Sequence, residues 1–94
     1  FRSPNNHKKL QRQEAALIRQ NQKPLRQKLR NLEKELSKLQ TQEKKLDDIM
    51  LDENLYTSEN KQKLKDTTIK QTEVKRRIVE LENDWLEISE ELEL

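Results

Sequence analysis

Ninety-four residues with 30% apolar content, 40% charge, no Gly and two Pro cannot enclose a thick globular core. A make-up rich in Leu, Lys, Glu and Gln is that of long helices sharing a narrow buried strip. The absence of Cys excludes disulfide staples and thiolate metal sites and suits a reducing compartment. No apolar run approaches the ~18 residues of a membrane span, and no secretory h-region is present in these residues. A cytoplasmic location without membrane contact is therefore the expectation. The chain opens at Phe1 rather than Met, which reads as a segment of a larger protein. Disorder is the competing reading of so much charge. Near-balanced charge and two regular heptad runs argue against it.

In chain order, residues 1–7 read as a flexible lead-in, with Ser3 as a candidate helix cap and Pro4 at the first helical position. Residues 8–23 form a short basic helix carrying Leu10, Ala15, Leu17 and Ile18. Pro24 then reads as the start of a second helix. Inside a helix it would delete one hydrogen bond and clash with the preceding turn, at ~3 kcal/mol, whereas the first position tolerates it.

The helix expected over 24–51 carries Leu25, Leu29, Leu32, Leu36, Leu39, Leu46 and Met50 in alternating steps of four and three, with Glu43 in the missing slot. Residues 52–58 interrupt that period with Asp, Asn, Thr and Ser, whose side chains compete for backbone groups and favour turns. Leu55 and Tyr56 are expected to fold back over the tip, and Thr57 or Ser58 to cap the returning helix. That helix, 59–93, repeats the period at Leu64, Val74, Ile78, Leu81, Trp85, Ile88 and Leu92, with Thr67 and Gln71 in the remaining slots. A 3.5-residue period keeps one stripe facing a partner.

Two such seams around a short reversal predict an all-α fold: an intramolecular antiparallel two-helix coiled-coil hairpin over 24–94 with a short preceding helix. Charge selects a register that sets Leu25 opposite Trp85, Leu29 opposite Leu81, Leu32 opposite Ile78 and Leu36 opposite Val74. Its flanking pairs are Lys28 with Asp84, Glu35 with Arg77, Arg26 with Glu82, Glu33 with Lys75 and Asp47 with Lys61, all opposite in sign. Each exposed pair contributes only ~0.2–1 kcal/mol, so the leucines supply the stability. Polar slots at Glu43, Thr67 and Gln71 make the distal third the weaker part of the seam.

The hairpin resembles the C-terminal domain of the ABC-F ATPases, most of all their YheS-like branch, over almost the whole chain. The resemblance is carried by Gln11-Arg12-Gln13-Glu14-Ala15, Gln22-Lys23-Pro24-Leu25-Arg26 and the Leu-Glu-Lys-Glu-Leu run at Leu32 to Leu36. The turn at Asp52 to Tyr56 and Asp84-Trp85-Leu86-Glu87 complete it. One departure is Glu53, where many members have Pro. The resemblance implies a parent protein with two ATP-binding cassettes ahead of this segment, acting at the ribosome, whose C-terminal hairpin contacts nucleic acid. ATP and Mg belong to that parent. The segment itself has no Gly-rich phosphate loop, so no cofactor is expected in it.

Catalytic chemistry finds little here. His7 is the only His, without a second ligand at helical spacing, and reads as a solvated side chain. The acidic run Glu80 to Glu93 lacks the looped spacing and Gly of a calcium site and reads as a solvated face. Trp85 in a seam slot reads as core rather than a base-stacking platform, and Tyr56 as either a tip plug or a partner contact.

Charge distribution carries the functional signal. Residues 1–30 hold nine basic and one acidic side chain, whereas 78–94 hold seven acidic and none basic. Internal neutralisation accounts for part of this asymmetry. Lys44, Lys45, Lys63, Lys65, Lys70 and Arg76 have no acidic seam partner in the expected register, and Lys8, Lys9, Arg12, Arg19, Lys23 and Arg30 form a second basic group near the base. Cations spaced along a rod suit phosphate backbones, and without interleaved aromatics they imply shape and phosphate contact rather than base reading. The expectation is a non-enzymatic, monomeric arm that touches ribosomal RNA or DNA beside the ABC domains of its parent chain. The alternative is a structural or protein-binding coiled coil without nucleic acid.

Overall fold

A computed structural model of the protein describes residues 4–93. Helix α1 runs Pro4–Met50 and helix α2 Lys61–Glu93, joined by short 3-10 turns at Glu53–Tyr56 and Ser58–Asn60. At ~1.5 Å per residue, 47 residues give α1 a length of about 70 Å. The whole molecule is a rod of 87 × 15 × 14 Å. Among the described residues no helix is long and apolar enough to cross a membrane.

The periodic positions are the covered ones. Along α2, Leu64, Thr67, Gln71, Val74, Ile78, Leu81, Trp85, Ile88 and Leu92 are all at least partly buried. Along α1 the same holds for Leu25, Leu29, Leu32, Leu36, Leu39, Glu43, Leu46 and Met50. Leu81, only 1% exposed, forms the centre of the core with Leu32 and Ile88, and Leu25, Leu29, Leu36, Leu39 and Leu92 pack against them. Polar contacts between the helices run in opposite directions along the two. Asp47, late in α1, meets Gln71 and Lys75, whereas Glu33 and Glu35, earlier in α1, meet Trp85 and Arg77.

Two expectations fail at the N-terminal end. α1 passes through Pro24 without interruption, so the separate helix over 8–23 does not exist. The flexible lead-in over 1–7 is likewise helical from Pro4 onward, with Pro4 at the first position and Ser3 outside the described residues. A proline ring already holds a helical φ, so its cost is a missing N–H and a local clash. Leu, Arg, Gln and Lys on both sides are strong helix formers. Arg26 adds a local contact. Its guanidinium reaches back past Pro24 to the Arg19 carbonyl at 2.8 Å and to Gln22 Oε1 at 3.4 Å.

The register also differs from the one chosen on charge. Of the five flanking pairs only Glu35–Arg77 forms, at 3.3 Å. Asp47 meets Lys75 at 3.7 Å rather than Lys61, and Glu33 accepts the Trp85 indole N–H at 3.1 Å rather than pairing with Lys75. Ile78 is buried but outside the cluster around Leu32 against which it was set. α2 therefore faces α1 residues nearer the turn than charge alone indicated. Exposed ion pairs are too weak to fix a register against leucine packing and the fit of one large indole.

The reversal is held by its own hydrogen bonds. Asp52 Oδ1 accepts from the Asn54 amide at 3.0 Å, and the Asn54 carbonyl accepts from Thr57 Oγ1 at 2.9 Å and Asn60 Nδ2 at 2.8 Å. Leu55, 2% exposed, plugs the tip as expected. Tyr56 does not share that role. It stays 58% exposed, and its hydroxyl donates to the Met50 carbonyl at 2.7 Å, closing the last turn of α1. Neither expected cap forms on α2, which begins at Lys61 rather than 59; Thr57 makes no side-chain cap. Glu53 occupies the first position of its 3-10 turn, where no intraturn amide bond is required and Pro fits equally well.

Two of the polar slots are satisfied by hydrogen bonds. Thr67, buried, donates its hydroxyl to the Lys63 carbonyl at 2.7 Å, and Gln71 donates to Asp47 Oδ1 at 2.6 Å. They still bury less apolar surface than the base. Leu81→Ala should lower unfolding free energy by about 2–5 kcal/mol in urea titration, and Val79→Ala on the exposed face by less than about 0.5 kcal/mol. Native-state hydrogen exchange should be slowest around Leu81 and Ile88, faster at residues 62–72 and fastest before Gln22. Slowest exchange near the turn would contradict this distribution of stability.

Candidate nucleic-acid interface

Of the twelve cations singled out by sequence, every one is exposed. Lys44, Lys45, Lys63, Lys65 and Lys70 have no carboxylate within 4.0 Å among the described residues. Arg76 does not belong with them. It pairs with Glu80 one turn ahead at 2.6 Å, an intrahelical partner that a search across the seam overlooks. Such i,i+4 pairs hold a side chain along its own helix surface.

The distal cations do not make one surface. At ~100° per residue Lys63 and Lys70, seven apart, share a flank of α2, whereas Lys65 and Arg76 share the side facing away. Lys45 and Lys70 instead both line a groove of about 370 Å³ between the helices, together with Gln42, Leu46, Glu73 and Val74. Glu73 places a negative charge in this groove and weakens it as an anion site.

The proximal group is more coherent. Lys8, Arg12, Arg19, Lys23 and Arg30 recur at steps of four, seven, four and seven, which on an unbroken helix puts them on one side. Lys9 lies off that side. Residues 7–21 are exposed throughout, Gln22 is the first partly covered position, and Leu25 is the first residue of α1 packed against the core. The first turns of α1 therefore project beyond the end of α2. Leu10, Leu17 and Ile18 on this overhang are 54%, 58% and 57% exposed.

The other candidates resolve simply. His7 accepts a contact from Gln11 Nε2 at 3.3 Å on the exposed overhang. Among the described residues no three His, Cys, Asp or Glu side chains stand where one ion could be held. Trp85 is half-buried in its seam slot with its N–H engaged by Glu33, so its ring is not a free stacking platform. Arg77 bridges Glu80 on its own helix and Glu35 on α1. Its hydrogen bonds to Glu80 first, then Glu35, raise its pKa above the ordinary arginine value. A raised cationic pKa contributes stability that is present below the ordinary value and lost only as pH climbs through the raised one. This contribution is therefore constant across ordinary pH. Compared with known protein families, with curated proteins and with solved structures, the chain matches none.

Sequence reading missed Arg26 because it was assigned to Glu82 in the expected register. Its true partners are the Arg19 carbonyl and Gln22, so the guanidinium keeps its full charge unpaired. A double-mutant cycle on Glu35→Gln and Arg77→Gln, read by thermal unfolding, should give a small favourable coupling that shrinks at high salt. A coupling that salt leaves unchanged would mean the bridge is less solvated than its exposure implies.

Proposed function

We propose that this hairpin is a non-catalytic arm that contacts nucleic acid, ribosomal RNA or DNA, through exposed lysines and arginines, as the C-terminal segment of an ABC-F-type ATPase. The observation that carries the reading is an elongated rod bearing cations that, among the described residues, lack carboxylate partners, which leaves their charge available to phosphates. The family likeness in sequence supports the same reading, and the cytoplasmic, ribosome-associated setting comes from that likeness alone. Contact through a phosphate backbone requires no catalytic group, and the role is to position or anchor the parent.

A second reading follows from Leu10, Leu17 and Ile18. Their exposure on the overhang suits a protein partner, and a structural or protein-binding coiled coil would use them rather than the cations. The two readings separate in solution. Titration of the chain with duplex DNA and structured RNA at 50 and 200 mM salt should show affinity falling by orders of magnitude, because each phosphate neutralised releases counterions. Binding that is absent or indifferent to salt rejects the nucleic-acid reading. Association that grows with chain concentration in sedimentation favours the protein-partner one.

A further inference from the structure

Because α1 is continuous through Pro24, cations that the sequence distributes over two elements fall on one. Lys8, Arg12, Arg19, Lys23, Arg26 and Arg30 follow one another at steps of four, seven, four, three and four, the spacing of a single helical face. At ~1.5 Å per residue they extend over about 33 Å, close to the 34–36 Å of one duplex turn. Glu14, the one acid in residues 1–30, points to the other side with Leu10 and Leu17. Among the described residues none of the six is within 4.0 Å of a carboxylate. Arg26 is tied to the Arg19 carbonyl at 2.8 Å, and Arg30 donates to Gln27 at 2.8 Å, both neutral partners that order the guanidinium without cancelling its charge. Lys8, Arg12 and Arg19 also stand beyond the end of α2, away from the seven acids of residues 78–94.

We infer that this stripe is the phosphate-binding surface, and that its ligand is the backbone of a double-helical nucleic acid lying along α1. The inference rests on the nucleic-acid reading above and places the contact at the base of the rod rather than on the distal lysines. A duplex is the fitting occupant because a straight, rigid row of charges needs phosphates held at fixed positions over a comparable length. Distal Lys63, Lys65 and Lys70 cannot act together in this way, since they divide between two sides of α2.

The test keeps every charge and changes only its direction. Two alanines inserted after Asn21 rotate Lys8, Arg12 and Arg19 by about 200° relative to Lys23, Arg26 and Arg30. The insertion falls in the overhang, so the hairpin core is untouched, and circular dichroism checks helicity. With a 20-base-pair duplex, six contacts predict a slope of log K against log salt near −5, about a thousandfold loss between 50 and 200 mM salt. The insertion should bring the slope to about −3, roughly a 40-fold loss over the same range. Arg12→Gln, Arg19→Gln and Lys23→Gln together should have a similar effect, and this variant decides the matter if the insertion loses helix. Lys63→Gln, Lys65→Gln and Lys70→Gln together should leave the slope unchanged. RNA and DNA duplexes, and a single strand, are run side by side; equal binding of the single strand overturns the duplex assignment. An unchanged slope in both stripe variants, or a fall confined to the distal variant, overturns the inference while the nucleic-acid reading stands. No salt-dependent binding by the unaltered chain removes both.

Discussion

The fold depends on one constraint: a strip of leucine-sized side chains recurring every 3.5 residues on both helices must find cover, and the chain provides it by doubling back. With so few apolar residues, nearly all the burial available is concentrated in this strip, centred on Leu81, Leu32 and Ile88. Most of what lies outside it, the tip plug Leu55 apart, is solvated and free to carry charge. The division explains how a chain so polar holds a defined shape. It also explains why the exposed face tolerates dense cations, since few of them, such as Lys75 and Arg77, take part in holding the helices together.

Register and fold are set at different levels of energy. The leucine strips decide that the helices pair; which residue meets which is then a contest among small terms. Opposite charges across the seam favoured one alignment on paper, yet only Glu35 with Arg77 survives from it. Trp85 needs both a wide slot and an acceptor for its N–H, and Glu33 supplies the acceptor at 3.1 Å. Gln71 is likewise seated by Asp47, a bond of 2.6 Å between a seam position and its flank. These are specific, directional contacts made by seam residues, the second of them partly buried. They outweigh lysines and glutamates whose pairing water screens.

Periodicity made the seam legible residue by residue: every slot from Leu25 to Met50 and from Leu64 to Leu92 is covered. The tip was legible in part, because Leu55 is the apolar residue in a polar stretch, whereas the role of Tyr56 turns on a hydroxyl contact to Met50 that no pattern announces. Pro24 was misread because local propensity names a helix start without weighing the helix formers on either side. That single misreading also hid the alignment of the basic residues, which only becomes a face once the helix is unbroken. The identity of the site residues as exposed cations was visible, but their grouping was not. Arg26 was given a partner by a wrong register, whereas Arg76 was left unpaired because its partner Glu80 lies on its own helix.

The dimensions of the rod have a mechanical consequence. At 87 Å long and about 15 Å across, a body with no hinge in its long helix acts as a lever. A tilt of about 10° about its root would sweep the free tip through about 15 Å, an amplitude ordinary for jointed segments of larger proteins. Small angular play at one end of such a body becomes large travel at the other, where Leu55 lies, and the continuity of α1 across Pro24 carries that motion along the rod.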